Sequence, residues 1–337
     1  MKIRLTLGKQ QRFRYRTRDL NILGRVENAS HPFRKSHYRL NSGQEVFFYV
    51  ESVPDPGIDW TYMYKDSPAV NRLKDLGDFN IEIPVNTPEL LPGNNNLLLI
   101  FEDANGETAE VEIVFDWDPA PIPLPLDLCN LTSYSRIQEI GQVVMGAFDI
   151  DQDMNLIRSR APVHPDALCV LGSIHGNQKA TYNVRFTDLT KVKWLGPSDF
   201  FVGMEGPTPP IGIKPGWSTF GMMNIDPRWA ARAFLAFGDH SDSHNEWVVQ
   251  TCPPKRFIAK ADLLYSVHHQ AFSKDGINTV RFKIWPEGEQ EPTSWLVEEN
   301  DSEIDLSKPR FKSGSFSLFQ HSGMPIEWSN IKVEALE

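Results

Sequence analysis

Apolar and polar positions alternate along most of the chain, and stretches with a repeat near 3.6 residues are scarce. A period of two predicts strands, so the chain is expected to be mostly β. In the first third the clearest runs are 45–50, 79–83, 96–101 and 109–115. Pro92-Gly93-Asn94 and Asn105-Gly106 separate them with turn chemistry. Short strands at that spacing predict a two-sheet sandwich. Beyond residue 126 the runs 180–186, 233–237, 261–267, 279–285, 315–319 and 331–333 continue the pattern. Antiparallel strands without helices over that length fit a two-sheet jelly roll. The chain closes on two runs, 314–319 and 326–333, around Ser322-Gly323-Met324-Pro325. They predict a terminal hairpin in which Gln320 and His321 serve the turn.

Prolines 119, 121, 123 and 125 fall at alternate positions. They remove ladder donors and favour extended backbone. The predicted organisation is therefore a first domain over 1–118, a Pro-rich linker over 119–126 and a second domain over 127–337. At 337 residues each part is long enough to bury its own core.

Charge changes the picture in one place. The formal net charge is -10, which argues against a general nucleic-acid binder. Residues 1–40 nevertheless carry eleven Lys and Arg against Asp19 and Glu27. Arg12, Arg14, Arg16 and Arg18 recur at every second position, the solvent face of an edge strand or an anion-binding stripe. No apolar run reaches the roughly 20 residues of a membrane-spanning helix. The first residues lack the apolar core of a secretory signal, so the expectation is a chain that works inside the cell or one whose leader has been removed. Cys129, Cys169 and Cys252 are too widely spaced for a zinc or disulfide framework and are expected to be buried free thiols.

Two resemblances follow from these segments. The order 20–26, 38–43, 77–83, 91–94 and 102–106 resembles a bacterial immunoglobulin-like domain, a type of module that serves as spacer or docking surface. That likeness implies a protein partner and no chemistry. In the second domain, Lys283-Ile-Trp285-Pro-Glu-Gly288-Glu-Gln-Glu291-Pro292-Thr-Ser-Trp295, followed by the two closing runs, resembles the C-terminal half of concanavalin A-like lectin/glucanase domains of the laminin-G-like jelly-roll type. The implied fold class is all-β, an immunoglobulin-like sandwich plus a concanavalin A-like jelly-roll sandwich. The superfamily holds lectins, hydrolases, lyases and adhesive modules, so the likeness speaks to fold more than to activity.

Candidate chemistry is sparse. A period of two sends Arg281, Lys283 and Trp285 to one face of a strand, where a sugar could meet an aromatic ring and charged donors. The following loop brings Glu291 and Trp295, and His269 sits near the end of a neighbouring strand. Asp239, His240, Asp242 and His244 form the densest set of metal-ligand types, in a segment whose Ser, Asp and Gly neighbours predict a loop. His240 is also counted with the ligand contacts. Asp149-Ile-Asp-Gln-Asp153 opens like a calcium loop but has Met154 where an EF-hand needs Gly. No cofactor is expected; the sequence leaves open a structural calcium outside the EF-hand pattern. No phosphate loop, dinucleotide fingerprint or nucleophile elbow is present. The leading reading is binding of a polysaccharide or glycan. The alternatives are a glycoside hydrolase or polysaccharide lyase on the same fold, and a structural or assembly protein.

Overall fold

The computed structural model describes residues 1–14, 19–52, 73, 75–160, 166–172, 175–187, 197–198, 221–226, 230–237, 248–251, 255–300, 302, 315–321 and 325–337. The protein is all-β. Among the described residues the one helical turn is a 3-10 turn at Ile137–Glu139, and no helix is long and apolar enough to cross a membrane.

The first part holds β1 (Lys2–Leu5), β2 (Gln10–Phe13), β3 (Asp19–Glu27), β4 (Lys35–Leu40), β5 (Glu45–Phe47), β6 (Asp78–Pro84), β7 (Gly93–Glu102) and β8 (Thr108–Trp117). A three-stranded sheet in the order β1-β3-β6 faces a five-stranded sheet in the order β2-β8-β7-β4-β5. Alternation explains the packing. Leu97, Leu99 and Phe101 point inward from β7 while Leu98 and Ile100 stay partly exposed. Phe101 and Phe79 then meet Phe48 at 5.5 and 5.6 Å between ring centroids. Arg12 lies on edge strand β2, the reading its alternation allowed, 3.9 Å from Asp116. Arg16 and Arg18 fall outside the described residues.

The β7–β8 hairpin closes at the expected Asn105-Gly106, with Gly106 at φ +83°. Asp103 organises it by accepting the backbone N–H groups of Ser30, Asn105 and Glu107 at 3.0, 2.9 and 2.9 Å. The Ser30 bond is the largest cause holding this carboxyl below the usual range, followed among the hydrogen bonds by Glu107 and Asn105. A depressed carboxyl contributes stability above its unfolded pKa, and that contribution disappears as pH falls through the folded value. Urea midpoints measured from pH 5 to pH 2 should therefore fall more steeply for the native protein than for Asp103→Asn. Parallel curves would contradict this role.

The second part holds β9 (Leu126–Leu128), β10 (Gly141–Met145), β11 (Phe148–Asp151), β12 (Leu156–Ser159), β13 (Asp166–Leu171), β14 (Gln178–Phe186), β15 (Pro197–Ser198), β16 (Gly221–Asp226), β17 (Ala230–Phe237), β18 (Val248–Thr251), β19 (Lys255–Arg256), β20 (Leu264–Lys274), β21 (Ile277–Pro286), β22 (Val297–Asn300), β23 (Ser317–His321) and β24 (Ile326–Ala335). The long sheet runs β11-β12-β24-β14-β20-β21-β22, with β9 added on β24. Its inner face packs on a four-stranded sheet, β10-β13-β23-β15, with Tyr182 and Phe316 at 5.5 Å between centroids. A further sheet, β16-β17-β18 with β19, lies beside β21 and β22.

The two last strands do not form the expected hairpin. β23 pairs with β13 and β15, and β24 pairs with β12, β14 and β9, so the chain crosses from one sheet to the other between them. Gln320 is buried within β23 and accepts the Ser159 hydroxyl of the facing sheet, so it ties the two layers rather than making a turn. Cys129 is also unlike its expectation, being exposed, while Cys169 is buried; Cys252 lies outside the described residues.

Residues 118–125 carry no strand, and Leu126 already belongs to β9. Ile122 of this segment packs against the hydrophobic clusters of both parts. The parts also meet through buried amides. Gln142 donates to Asn21 and to the Asp19 carbonyl, Gln138 donates to Gln11 at 3.0 Å, and Asn80 donates to the Val144 carbonyl at 2.8 Å. Polar groups sealed in such a seam are held to one mutual geometry, because any slip strands them without partners.

Candidate ligand-binding face

The register of the long sheet sorts its side chains into rows. One row, Val333, Ala180, His269, Phe282 and Val297, is buried throughout. The neighbouring row on the opposite face is Glu334, Lys179, Gln270, Arg281 and Glu298. Next to it run Asp127, Lys332, Thr181, His268 and Lys283, then Ser329, Asn183, Ser266 and Trp285. The last is Asp149, Arg158, Glu327, Arg185 and Leu264. A bulge in β24, with Asn330 at φ +51°, keeps Ser329 and Glu327 on the polar face while Trp328 turns inward.

Over β20 and β21 the side chains form one connected network. Arg281 donates through Nε to Gln270 Oε1 at 2.9 Å and through its terminal nitrogen to Glu298 at 3.2 Å. Gln270 therefore turns its Nε2 to His268 Nε2, 3.2 Å away. The tautomer that satisfies both sides carries its hydrogen on Nδ1 of His268, which lies 3.0 Å from Glu291 Oε1. Lys283, 8% exposed, gives its ammonium to Glu291 at 2.8 Å and to the Pro292 carbonyl at 2.7 Å. Trp295 lies on this network, 4.5 Å from the Arg281 guanidinium and 4.8 Å from the Lys283 ammonium, with the His268 ring at 5.2 Å.

The spaced Lys, Gly, Pro and Trp of the 283–295 segment thus have physical roles. Gly288 adopts φ +85° in the turn. Glu289 N–H bonds back to the Pro286 carbonyl. The returning chain then brings Pro292 and Trp295 over Lys283. Hydrogen bonding to Lys283 first, and to His268 second, holds the Glu291 carboxyl below its usual range.

Of the predicted contacts, Arg281, Lys283, Glu291 and Trp295 come together. Trp285 is half-buried on the same face, opposite Ser266. His269 does not join them: it is fully buried beside Phe282, and burial, with His268 as a lesser cause, pushes its imidazole down to about 3. The histidine on the face is His268. The sequence held the deciding signal, because Tyr265, Val267 and Ala271 share His269's parity and mark the inner face. Both histidines lie in mid-strand rather than at a strand end.

Asp239, His240, Asp242 and His244 lie outside the described residues. Asp149 pairs with Arg160, and Asp151 accepts the Met154 N–H at 2.9 Å, so this segment is a β-hairpin turn between β11 and β12. Among the described residues no group of three or more His, Cys, Asp or Glu gathers as a metal site. The acidic run after Trp295 begins as edge strand β22, with Glu299 opposite Val280.

No protein-family model matches the chain, and no curated protein matches it by sequence. Solved structures match part of the chain distantly, three of them as follows. A carbohydrate binding module, CBM66 from Bacillus subtilis, matches with TM-score 0.38 and 13% identity over 58% of this chain and 95% of the module. The exoplasmic/lumenal domain of VIP36, in a Ca2+/Man3GlcNAc-bound form, matches with TM-score 0.34 and 11% identity over 60% and 87%. A seed lectin of Lotus tetragonolobus matches with TM-score 0.32 and 15% identity over 60% and 98%. Likenesses this distant carry no assignment of function to the chain.

Proposed function

We propose that the polar face of the long sheet binds a polysaccharide or glycan, and that it does so without cleaving it. The observation that carries this reading is the placement of Trp285 and Trp295, both half-buried, among the rows of Arg, Lys, Gln, His, Asn and Glu on the polar face of the sheet. A sugar ring offers C–H faces to an aromatic surface and hydroxyls that both donate and accept. Aromatic ring and planar hydrogen-bonding groups side by side match both demands. The second part, 127–337, is in this reading a concanavalin A-like jelly roll. The first, 1–118, is an immunoglobulin-like accessory sandwich, with 119–126 joining them.

Cleavage by acid and base asks for one carboxyl kept protonated near neutral pH. Glu291 is shifted the opposite way by Lys283 and His268. Glu298 is engaged by Arg281. Such a neutralised network favours recognition over proton transfer.

A glycan and polysaccharide binding screen with product analysis on the same incubations tests this. Binding with no new reducing or unsaturated ends is expected. New ends would overturn the non-catalytic part, and silence across the screen would overturn the reading itself.

A further inference from the structure

We propose that the class of ligand selected by this face is an uncharged polysaccharide rather than a uronate- or sulfate-bearing one; this rests on the glycan reading above. The motivating observation is that every lysine and arginine in the four polar rows already has a carboxylate of the protein within 4 Å. Lys179 and Lys332 share Glu334 at 3.3 and 3.1 Å. Arg158 and Arg185 share Glu327 at 2.6 and 3.1 Å. Arg281 has Glu298 at 3.2 Å, and Lys283 has Glu291 at 2.8 Å.

The two shared carboxylates leave one positive charge each, and those are met as well. Asp127 stands opposite Lys332, whose charge helps to hold its carboxyl below the usual range after its bonds to Cys129. Asp151 lies 3.8 Å from Arg158. Asp149, also on this face, is matched by Arg160. Among the described residues, the charges of the four rows and of the groups paired with them therefore balance.

An acidic ligand would gain only by displacing a carboxylate already in place. Glu327 and Lys283 are each 8% exposed, so breaking their pairs would strand poorly solvated charge. A hydroxyl meets no such conflict. It can donate to a row carboxylate and accept from the guanidinium or ammonium beside it, leaving the pair intact. The row Glu334, Lys179, Gln270, Arg281 and Glu298 offers these acceptors and donors side by side, about 4.8 Å apart from strand to strand.

The test titrates the full chain with soluble neutral polysaccharides (a β-glucan, a galactomannan, a fructan) and acidic ones (polygalacturonate, alginate, chondroitin sulfate) at 50 and 500 mM NaCl. A neutral polysaccharide should bind, with Kd changing less than about twofold between the two salts, because a charge-balanced face has little field to screen. The double variant Glu298→Gln and Glu334→Gln, which exposes uncompensated cations, should gain binding to polygalacturonate that weakens by about tenfold or more at high salt. Preference of the native protein for acidic polymers, lost at high salt, would overturn this inference and leave the glycan reading standing. Failure of the folded double variant to gain acidic binding would also overturn it. Binding of neither class would remove the glycan reading and this inference with it.

Discussion

Trp295→Ala should weaken binding of the polysaccharide by about 30-fold or more while leaving the fold intact. A well-packed aromatic anchor at a contact surface contributes on the order of 2 kcal/mol or above, which is about 30-fold in Kd. The ring also sits 4.5 Å from Arg281 and 4.8 Å from Lys283. Its loss frees both cations from the aromatic surface but not from their carboxylates, since Glu298 and Glu291 stay in place. Stability should therefore change by about 1 kcal/mol, the scale of such cation–aromatic contacts. Isothermal titration and thermal melts of Trp295→Ala and Trp295→Phe separate the two effects, with the phenylalanine variant keeping part of the affinity. Unchanged affinity in Trp295→Ala would place the contact surface elsewhere.

Trp328→Ala should produce the largest loss of stability, about 3–5 kcal/mol. Trp328 is fully buried on the inner face of β24, with its ring 5.9 Å from Phe148 and its backbone between Ile157 and Val184. Removing it opens a cavity where the middle strands of the long sheet meet the facing layer. For a sandwich of this size the melting temperature should drop by about 10 °C. Neighbouring Glu327 and Ser329 hold their face only because the Asn330 bulge and the Trp328 anchor fix the register, so affinity should fall together with stability. A variant that melts within two degrees of the native protein would show that this core position is not what organises the sheet.

The sequence made some of this face legible and hid the rest for identifiable reasons. Alternation along residues 280–285 was enough to put Arg281, Lys283 and Trp285 on one side, because parity within a strand is a local property. The choice between His268 and His269 was equally local, but it required extending the strand through Ala271, and the polar His268-His269-Gln270 triplet obscured that continuation. Return of Glu291 and Trp295 onto Lys283 depends on a turn conformation, with Gly288 at positive φ, that pattern alone does not encode. Pairing was the least accessible level. Adjacency in the chain suggests a hairpin at the C-terminus, yet β23 and β24 serve opposite sheets, which only long-range register decides. Charge balance across the rows is of the same kind, because Arg158 and Glu327 are far apart in sequence and side by side in the sheet.

The face assignment is tested most directly by the indole N–H resonances of the nine tryptophans, assigned by single Trp→Phe substitutions and followed while an oligosaccharide of the bound polysaccharide is added. The Trp285 and Trp295 signals should shift in proportion to occupancy, while those of buried Trp117 and Trp328 stay in place. Saturable binding that leaves Trp285 and Trp295 unmoved would contradict the account.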